Sequence, residues 1–213
     1  EMMFCCDKKK DKHLTEETAN KFGVFCRHSN PEFDFKQLND VPEDALIFTV
    51  KGLSGRTVGY GARNDRHPWL YRPITPGLTT GYSLFGVDLT ADEIINEQYA
   101  ILVEGAFDAM ILYQEGIKNV VGGYGVRLTQ CQAALLASLC PTVFVMYDAD
   151  KAGVRAGYES IKMLRDMGTK VVIVSGHDKD PDEYILEHGA DKVLKLCLDQ
   201  LDNTESDQLQ MRL

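Results

Sequence analysis

Residues Thr142–Gly153 read TVFVMYDADKAG. A continuous apolar and aromatic run ends in two aspartates two positions apart, and Lys151, Ala152 and Gly153 follow. A run that is apolar at consecutive positions fits a strand covered on both faces, as in a parallel sheet. Asp148 and Asp150 then stand just beyond the carboxyl end of that strand. The segment behind them, Ala152–Gly168, has helical spacing and closes on a glycine. In open α/β sheets this end of the strands is where ligands bind. Two like charges placed there need a physical reason.

The pattern recurs on both sides. Tyr99–Gly105 is an apolar run ending in Glu104-Gly105, and Phe107–Gly116 is an amphipathic helix with Asp108 in its first turn. Residues 119–122 form a short strand running into Gly122-Gly123-Tyr124-Gly125, ahead of a helix over Leu128–Leu139 with Thr129 as N-cap. Residues 170–175 form a strand running into SGHDKDPDE, which carries Asp178, Asp180, Asp182 and Glu183. Helices follow over Pro181–Gly189 and Ala190–Leu201. Strand alternating with helix predicts an α/β fold, a small parallel sheet flanked by helices, over residues 99–201.

The chain ahead of it has another texture. Leu14–Val24 reads as a short helix capped by Thr15, and Ala45–Arg63 as a β-hairpin turning through KGLSG. Residues 64–82 contain three prolines and read as a long loop, and Ala91–Gln98 as a helix. Residues 14–98 are thus expected to form a smaller α+β N-terminal subdomain. Frayed ends are expected at 1–13 and 202–213.

The 213 residues suffice for a real core, and no apolar run approaches the ~18 residues of a membrane span. The start EMMFCCDKKKDK lacks a secretory pattern, so a cytoplasmic protein is expected. Net charge is −9, unevenly spread: residues 1–72 carry 12 basic against 11 acidic side chains, residues 73–213 carry 11 against 21. That balance argues against indiscriminate coating of nucleic acid. It is compatible with carboxylates that hold divalent metal, which reverses the local sign. The six cysteines show no CxxC pair. Cys5, Cys6, His13, Cys26 and His28 lack the tight spacing of a zinc site, so free thiols are expected and zinc is not.

Three of the four strand ends converge carboxylates on one rim. Clustered carboxylates repel, and a hard divalent cation relieves the repulsion; oxygen donors favour Mg²⁺ or Mn²⁺. Two such ions about 3.5–4 Å apart are a standard device for phosphoryl transfer.

The segments VEGAFDAMILYQEGIKNVVGGYG (Val103–Gly125), VMYDADKAGVRAG (Val145–Gly157) and GHDKDPDEYI (Gly176–Ile185) resemble the Toprim domain shared by bacterial-type primases, type IA and II topoisomerases and some nucleases. The DPDE element, the AG after the second aspartate and the Gly-rich turn resemble the bacterial and phage (DnaG-like) primase branch most. The front segment IFTVKGLSGRTVGYGAR (Ile47–Arg63), with Pro68, Tyr71, Pro73 and Leu84-Phe85-Gly86 after it, is similar to the segment ahead of Toprim in those primases.

The resemblance implies roles. Glu104, Asp148 and Asp150 would be catalytic, and with Asp180 and Asp182 would hold metal. Gly105, Asp108 and Gly153 would support them, Gly153 by letting a helix start close to the site. Arg63, Arg66, Trp69, Tyr71, Arg72 and Lys151 would bind template and nucleotide, arginines on phosphate and aromatics on bases. The expected activity is metal-dependent synthesis of short RNA primers from ribonucleoside triphosphates on single-stranded DNA. A replicative helicase or a separate zinc-bearing module is the expected partner. This sequence departs from the pattern where lysines are usual: Trp69 or Arg72, and Thr79 or Thr80, stand there. No counterpart of the zinc module or of a downstream helicase segment is recognisable. The chain has the size of a catalytic core, whether a fragment, a minimal enzyme or one subunit of a split system. The alternatives are a Toprim nuclease and a non-catalytic nucleic-acid-binding scaffold; a topoisomerase would need a tyrosine-bearing module for which there is no room.

Overall fold

The computed structural model describes residues 13–27, 41–64, 70–125, 127–148, 151–177 and 179–210, with backbone only for 151–157 and 202–210. Arg66, Trp69, Asp150 and Asp178 lie outside the described residues.

Two sheets share the chain. In the first, β1 (Val24–Cys26), β2 (Leu46–Lys51), β3 (Thr57–Arg63) and β4 (Leu70–Pro73) lie in the order β1-β2-β3-β4, each pair antiparallel. Helix α1 (Glu16–Phe22) precedes it, with the Thr15 hydroxyl accepting from the Thr18 amide as the expected N-cap. The segment 64–82, expected to be all loop, departs from that reading: 70–73 is a strand and Thr80–Tyr82 a 3-10 turn. Tyr71 lies across Gly59 of the neighbouring strand, where a Cβ would stand 2.4 Å from the phenol oxygen. A glycine on β3 is what lets the ring settle on the sheet.

The second sheet contains β5 (Tyr99–Val103), β6 (Val120–Gly122), β7 (Thr142–Val145) and β8 (Lys170–Ile173) in the order β6-β5-β7-β8, all parallel. Its helices are α2 (Val87–Glu97), α3 (Ala106–Gln114), α4 (Gln130–Leu139), α5 (Lys151–Asp166), α6 (Pro181–His188) and α7 (Ala190–Gln210). Helix α2 starts before the expected Ala91 because Val87, Ala91 and Ile94 form one buried stripe. Helix α7 continues past the expected end at 201 to Gln210.

Alternate strand residues feed two apolar layers. Ala100, Leu102, Val143 and Val145 pack with α2, α4 and α5, while Ile101, Val103 and Phe144 pack with α3, α6 and α7. The second layer continues into the first sheet through Phe22, Val24, Leu46 and Phe48. Phe48 meets Phe107 edge-on at 5.8 Å and Phe85 at 6.3 Å. The two sheets therefore share a core.

The strand order fixes the site. From β5 the chain crosses to β6 on one side, then returns past β5 to β7 and on to β8. Right-handed crossovers put α3 on one face and α4 and α5 on the other. The order reverses between β5 and β7, and the crevice opens at their carboxyl ends.

Candidate active site

Glu104 leaves β5 at that crevice and Asp148 leaves β7 beside it. The two strands are paired from Tyr99↔Thr142 to Leu102↔Val145, and the Met146 amide still donates to the Leu102 carbonyl at 2.9 Å. On the other side of β7 the Val174 amide donates to the Val145 carbonyl at 2.9 Å. Asp148 therefore projects from a strand held on both edges. It is half-buried, with Oδ1 shielded from solvent.

Glu104 lies near Tyr147. Burial pushes the Tyr147 phenol up to about 12, the Glu104 charge pushes the same way, and the Ser160 hydroxyl opposes them. A second negative charge beside the carboxylate is thus avoided, and Tyr147 stays neutral. Its hydroxyl meets Ser160 Oγ at 3.4 Å, and Ser160 Oγ accepts from the Leu128 amide at 3.2 Å. This ties the end of β7 to α5 and to the start of α4.

The turn after Glu104 is set by Asp108. Gly105 caps α3 in extended conformation, and its amide donates to Asp108 Oδ2 at 3.1 Å. Asp108 is buried in the first turn, where its negative charge also suits the helix N-terminus. Gly122 and Gly123 press on the same backbone. A Cβ at Gly122 would stand 2.6 Å from the Gly105 carbonyl oxygen, and one at Gly123 would stand 3.0 Å from that of Glu104. Only glycine permits this approach. The turn is fastened from behind by Phe85, which exchanges backbone hydrogen bonds with Gly122 at 2.9 and 3.1 Å.

Asp180 and Asp182 stand at the start of α6. Asp180 occupies the N-cap position without a side-chain capping bond, with Pro181 after it. Asp182 is buried, and its Oδ1 accepts from the Glu183 amide at 2.9 Å. It lines a cavity of about 370 Å³ with His13, Ile111, Lys179, Glu183, Leu186 and Glu187, which does not include Glu104 or Asp148. Among the described residues no three acidic, histidine or cysteine side chains gather closely enough to hold a metal ion. Glu104 and Asp148 nonetheless fit one chemically: hard carboxylate oxygens, one of them shielded, at the mouth of the crevice. Lys151 opens α5 and Gly153 lies in its first turn.

Of the front-sheet candidates among the described residues, Arg63 reaches the first turn of α3. Its guanidinium lies over the Phe107 ring at 5.8 Å, on the first turn of the helix that Glu104-Gly105 starts. Tyr71 reaches the Val58 carbonyl at 3.5 Å, and Arg72 donates to the Tyr71 carbonyl at 3.2 Å.

Three residues escaped the sequence reading. Lys51 Nζ lies 3.3 Å from Asp88 Oδ2, a little-exposed pair across the seam between β2 and α2. His177, buried, places Nδ1 2.9 Å from the Lys179 carbonyl and Nε2 3.1 Å from the Val174 carbonyl, so it clasps the loop between β8 and α6. Tyr124 carries the Gly-rich turn against Phe85. A histidine amid acidic residues is a weak sequence signal; for the other two there was none.

The Toprim-like family model matches residues 101–185, the span that holds the crevice. The DNA primase of Aquifex aeolicus (strain VF5) is 36% identical over 156 residues, covering 71% of this chain and 31% of its own. The crystal structure of the zinc-binding and RNA polymerase domains of the Aquifex aeolicus primase superposes with a TM-score of 0.76 at 30% identity, over 89% of this chain and 54% of that one. The chain belongs to the Toprim-like family, as a DnaG-type primase core. A DnaG primase catalytic domain bound to single-stranded DNA has the same fold, with a TM-score of 0.71 at 22% identity over 87% of this Toprim chain and 70% of its own. The chain spans about a third (31%) of the Aquifex aeolicus primase it matches.

Proposed function

We propose that this chain is the catalytic core of a DNA primase, which joins ribonucleotides into short primers on a single-stranded DNA template. The observation that carries the reading is that Glu104 follows β5 and Asp148 follows its parallel neighbour β7 at the point where strand order reverses, with Arg63 of the front sheet over the adjoining helix. The solved structure of a related catalytic domain bound to single-stranded DNA supports the choice of template.

In this reading Asp148 and Asp150 hold divalent metal with Glu104, and Asp180 and Asp182 tune the charge around them. Bound Mg²⁺ or Mn²⁺ would neutralise the departing pyrophosphate and lower the pKa of the attacking 3′-hydroxyl. Glu104, next to a neutral phenol, is placed to organise the site or take up a proton. Asp108 keeps the Glu104-Gly105 turn in one conformation. Arg63, Arg66 and Arg72 contact phosphates, with Lys151 at the helix start, and Trp69 and Tyr71 stack on bases. Because the chain is acidic overall, template binding is weak and salt-sensitive, and a replicative helicase or a zinc-bearing module supplies the remaining affinity. The Aquifex aeolicus primase structure contains such a zinc-binding domain.

The test is incubation with single-stranded DNA, labelled ribonucleotides and Mn²⁺ or Mg²⁺. Template-dependent oligomers are expected from the native chain, and Asp148→Ala should reduce them at least about 100-fold, the scale of losing a principal electrostatic group. Shortening of the DNA without added nucleotides would establish a nuclease instead. Binding without either reaction would establish a scaffold.

A further inference from the structure

The loop after β8 leads from a strand paired with β7 to the helix that begins with Asp180 and Asp182. Its near end is fixed to β7. The Val174 amide donates to the Val145 carbonyl at 2.9 Å, on the strand that runs into Asp148. Its far end is fixed to α6, where the Tyr184 amide donates to the Asp180 carbonyl at 2.9 Å. Backbone bonds at each end do not by themselves set one end against the other.

His177 does. The chain turns at Gly176, whose φ of 91° is one that glycine adopts without strain. The buried ring of His177 then returns toward the strand, with Nε2 3.1 Å from the Val174 carbonyl oxygen. Its Nδ1 stands 2.9 Å from the carbonyl oxygen of Lys179, the residue before Asp180. A carbonyl oxygen only accepts, so both ring nitrogens are set as donors, and one rigid ring holds both ends of the loop. The ring also stands edge-on to Tyr184 of α6, centroids 6.2 Å apart. Tyr184 and Val174 are buried in one apolar cluster. A path of printed contacts therefore runs from β7 through Val174, His177 and Lys179 to the first turn of α6.

We propose that His177 is a positioning residue: by holding Val174 and Lys179 at once, it fixes where Asp180 and Asp182 stand relative to Asp148. The proposal rests on the reading that Asp180 and Asp182 tune the charge at the metal site. It requires no contact of His177 with metal or substrate.

Two variants of the full chain test it. His177→Leu fills the space with no donor, and His177→Gln keeps a donor. Asp180→Asn and Asp182→Asn are made beside them. Amide hydrogen exchange of the metal-free protein is followed over peptides spanning 174–186, with 130–139 of α4 as the distant reference. Mn²⁺ binding is followed by electron paramagnetic resonance with no nucleotide present. In His177→Leu, exchange over 174–186 should quicken about tenfold relative to 130–139, the scale of losing a buried hydrogen bond. The Mn²⁺ concentration for half-saturation should rise several-fold, and His177→Gln should fall between His177→Leu and the native chain. Should His177→Leu fail to fold, His177→Gln carries the test, and native exchange over 174–186 in it would overturn the proposal. So would exchange that quickens equally in α4, or equal losses in the two His177 variants. Native Mn²⁺ binding in His177→Leu while either aspartate variant weakens it would overturn the proposal and leave the reading of the aspartates standing. Native Mn²⁺ binding in both aspartate variants would sink that reading, and the positioning role with it.

Discussion

Asp108 works through a backbone amide. By accepting from Gly105 it holds the strand-to-helix turn on which Glu104 rides, and it sits where helix dipole and charge agree. Asp108→Ala should therefore destabilise the protein by about 1.5–3 kcal/mol, the range for a hydrogen bond to a charged group. Asp108→Asn, which keeps an acceptor, should lose less. Thermal or denaturant melts of the two variants check this, and equal losses would contradict the account. The places of Glu104 and Asp148 at strand ends were readable from the chain because each follows an apolar run, and a strand's end is a local property. The partners that steady the rim were not. Lys51 meets Asp88, and Tyr124 meets Phe85, only after two sheets have folded together. His177 shows the same limit: its two carbonyl contacts depend on the path of the loop, which composition does not encode.

Helix α4 shows what short-range signals can deliver. Thr129 and Gln132 form a reciprocal cap, the hydroxyl accepting from the Gln132 amide at 3.2 Å and the Gln132 side chain accepting from the Thr129 amide at 2.8 Å. Gln132 also donates to the Ser83 carbonyl at 2.7 Å, and the Thr129 hydroxyl to the Gly81 carbonyl, so the cap doubles as the dock for the 3-10 turn. Thr129→Ala should cost about 1 kcal/mol for the cap alone, and more in total because the Gly81 contact goes with it. Denaturant melts of Thr129→Ala against Thr129→Ser, which keeps the hydroxyl, would separate the two. Strand β4 shows the opposite case. Its four residues end in proline and sit on an edge, so neither length nor pattern marks them; Gly59 across the sheet does, and only in three dimensions. The polar run after Leu201, expected to fray, continues α7 as far as Gln210, because polarity alone does not end a helix. A helix already nucleated extends through such residues without a new nucleus.

At the scale of the molecule, the change of texture near residue 98 marks a boundary in sequence but not in packing. Phe22 and Phe48 of the front module and Ile101, Val103 and Phe107 of the Toprim core belong to one apolar cluster. Phe48→Ala should destabilise the whole chain by about 3–5 kcal/mol. Tryptophan fluorescence and far-ultraviolet circular dichroism should still report a single coincident unfolding transition. Two separated transitions would show that the modules fold independently. The shared cluster bears on how a strand of nucleic acid could be gripped. The interval between the Arg63 guanidinium and the Glu104 turn is filled by packed rings, Phe107 under the arginine and Phe48 edge-on to it. In the proposed primase such a jaw would have a fixed gauge: it would select by what already fits its opening and leave adjustment to the incoming strand.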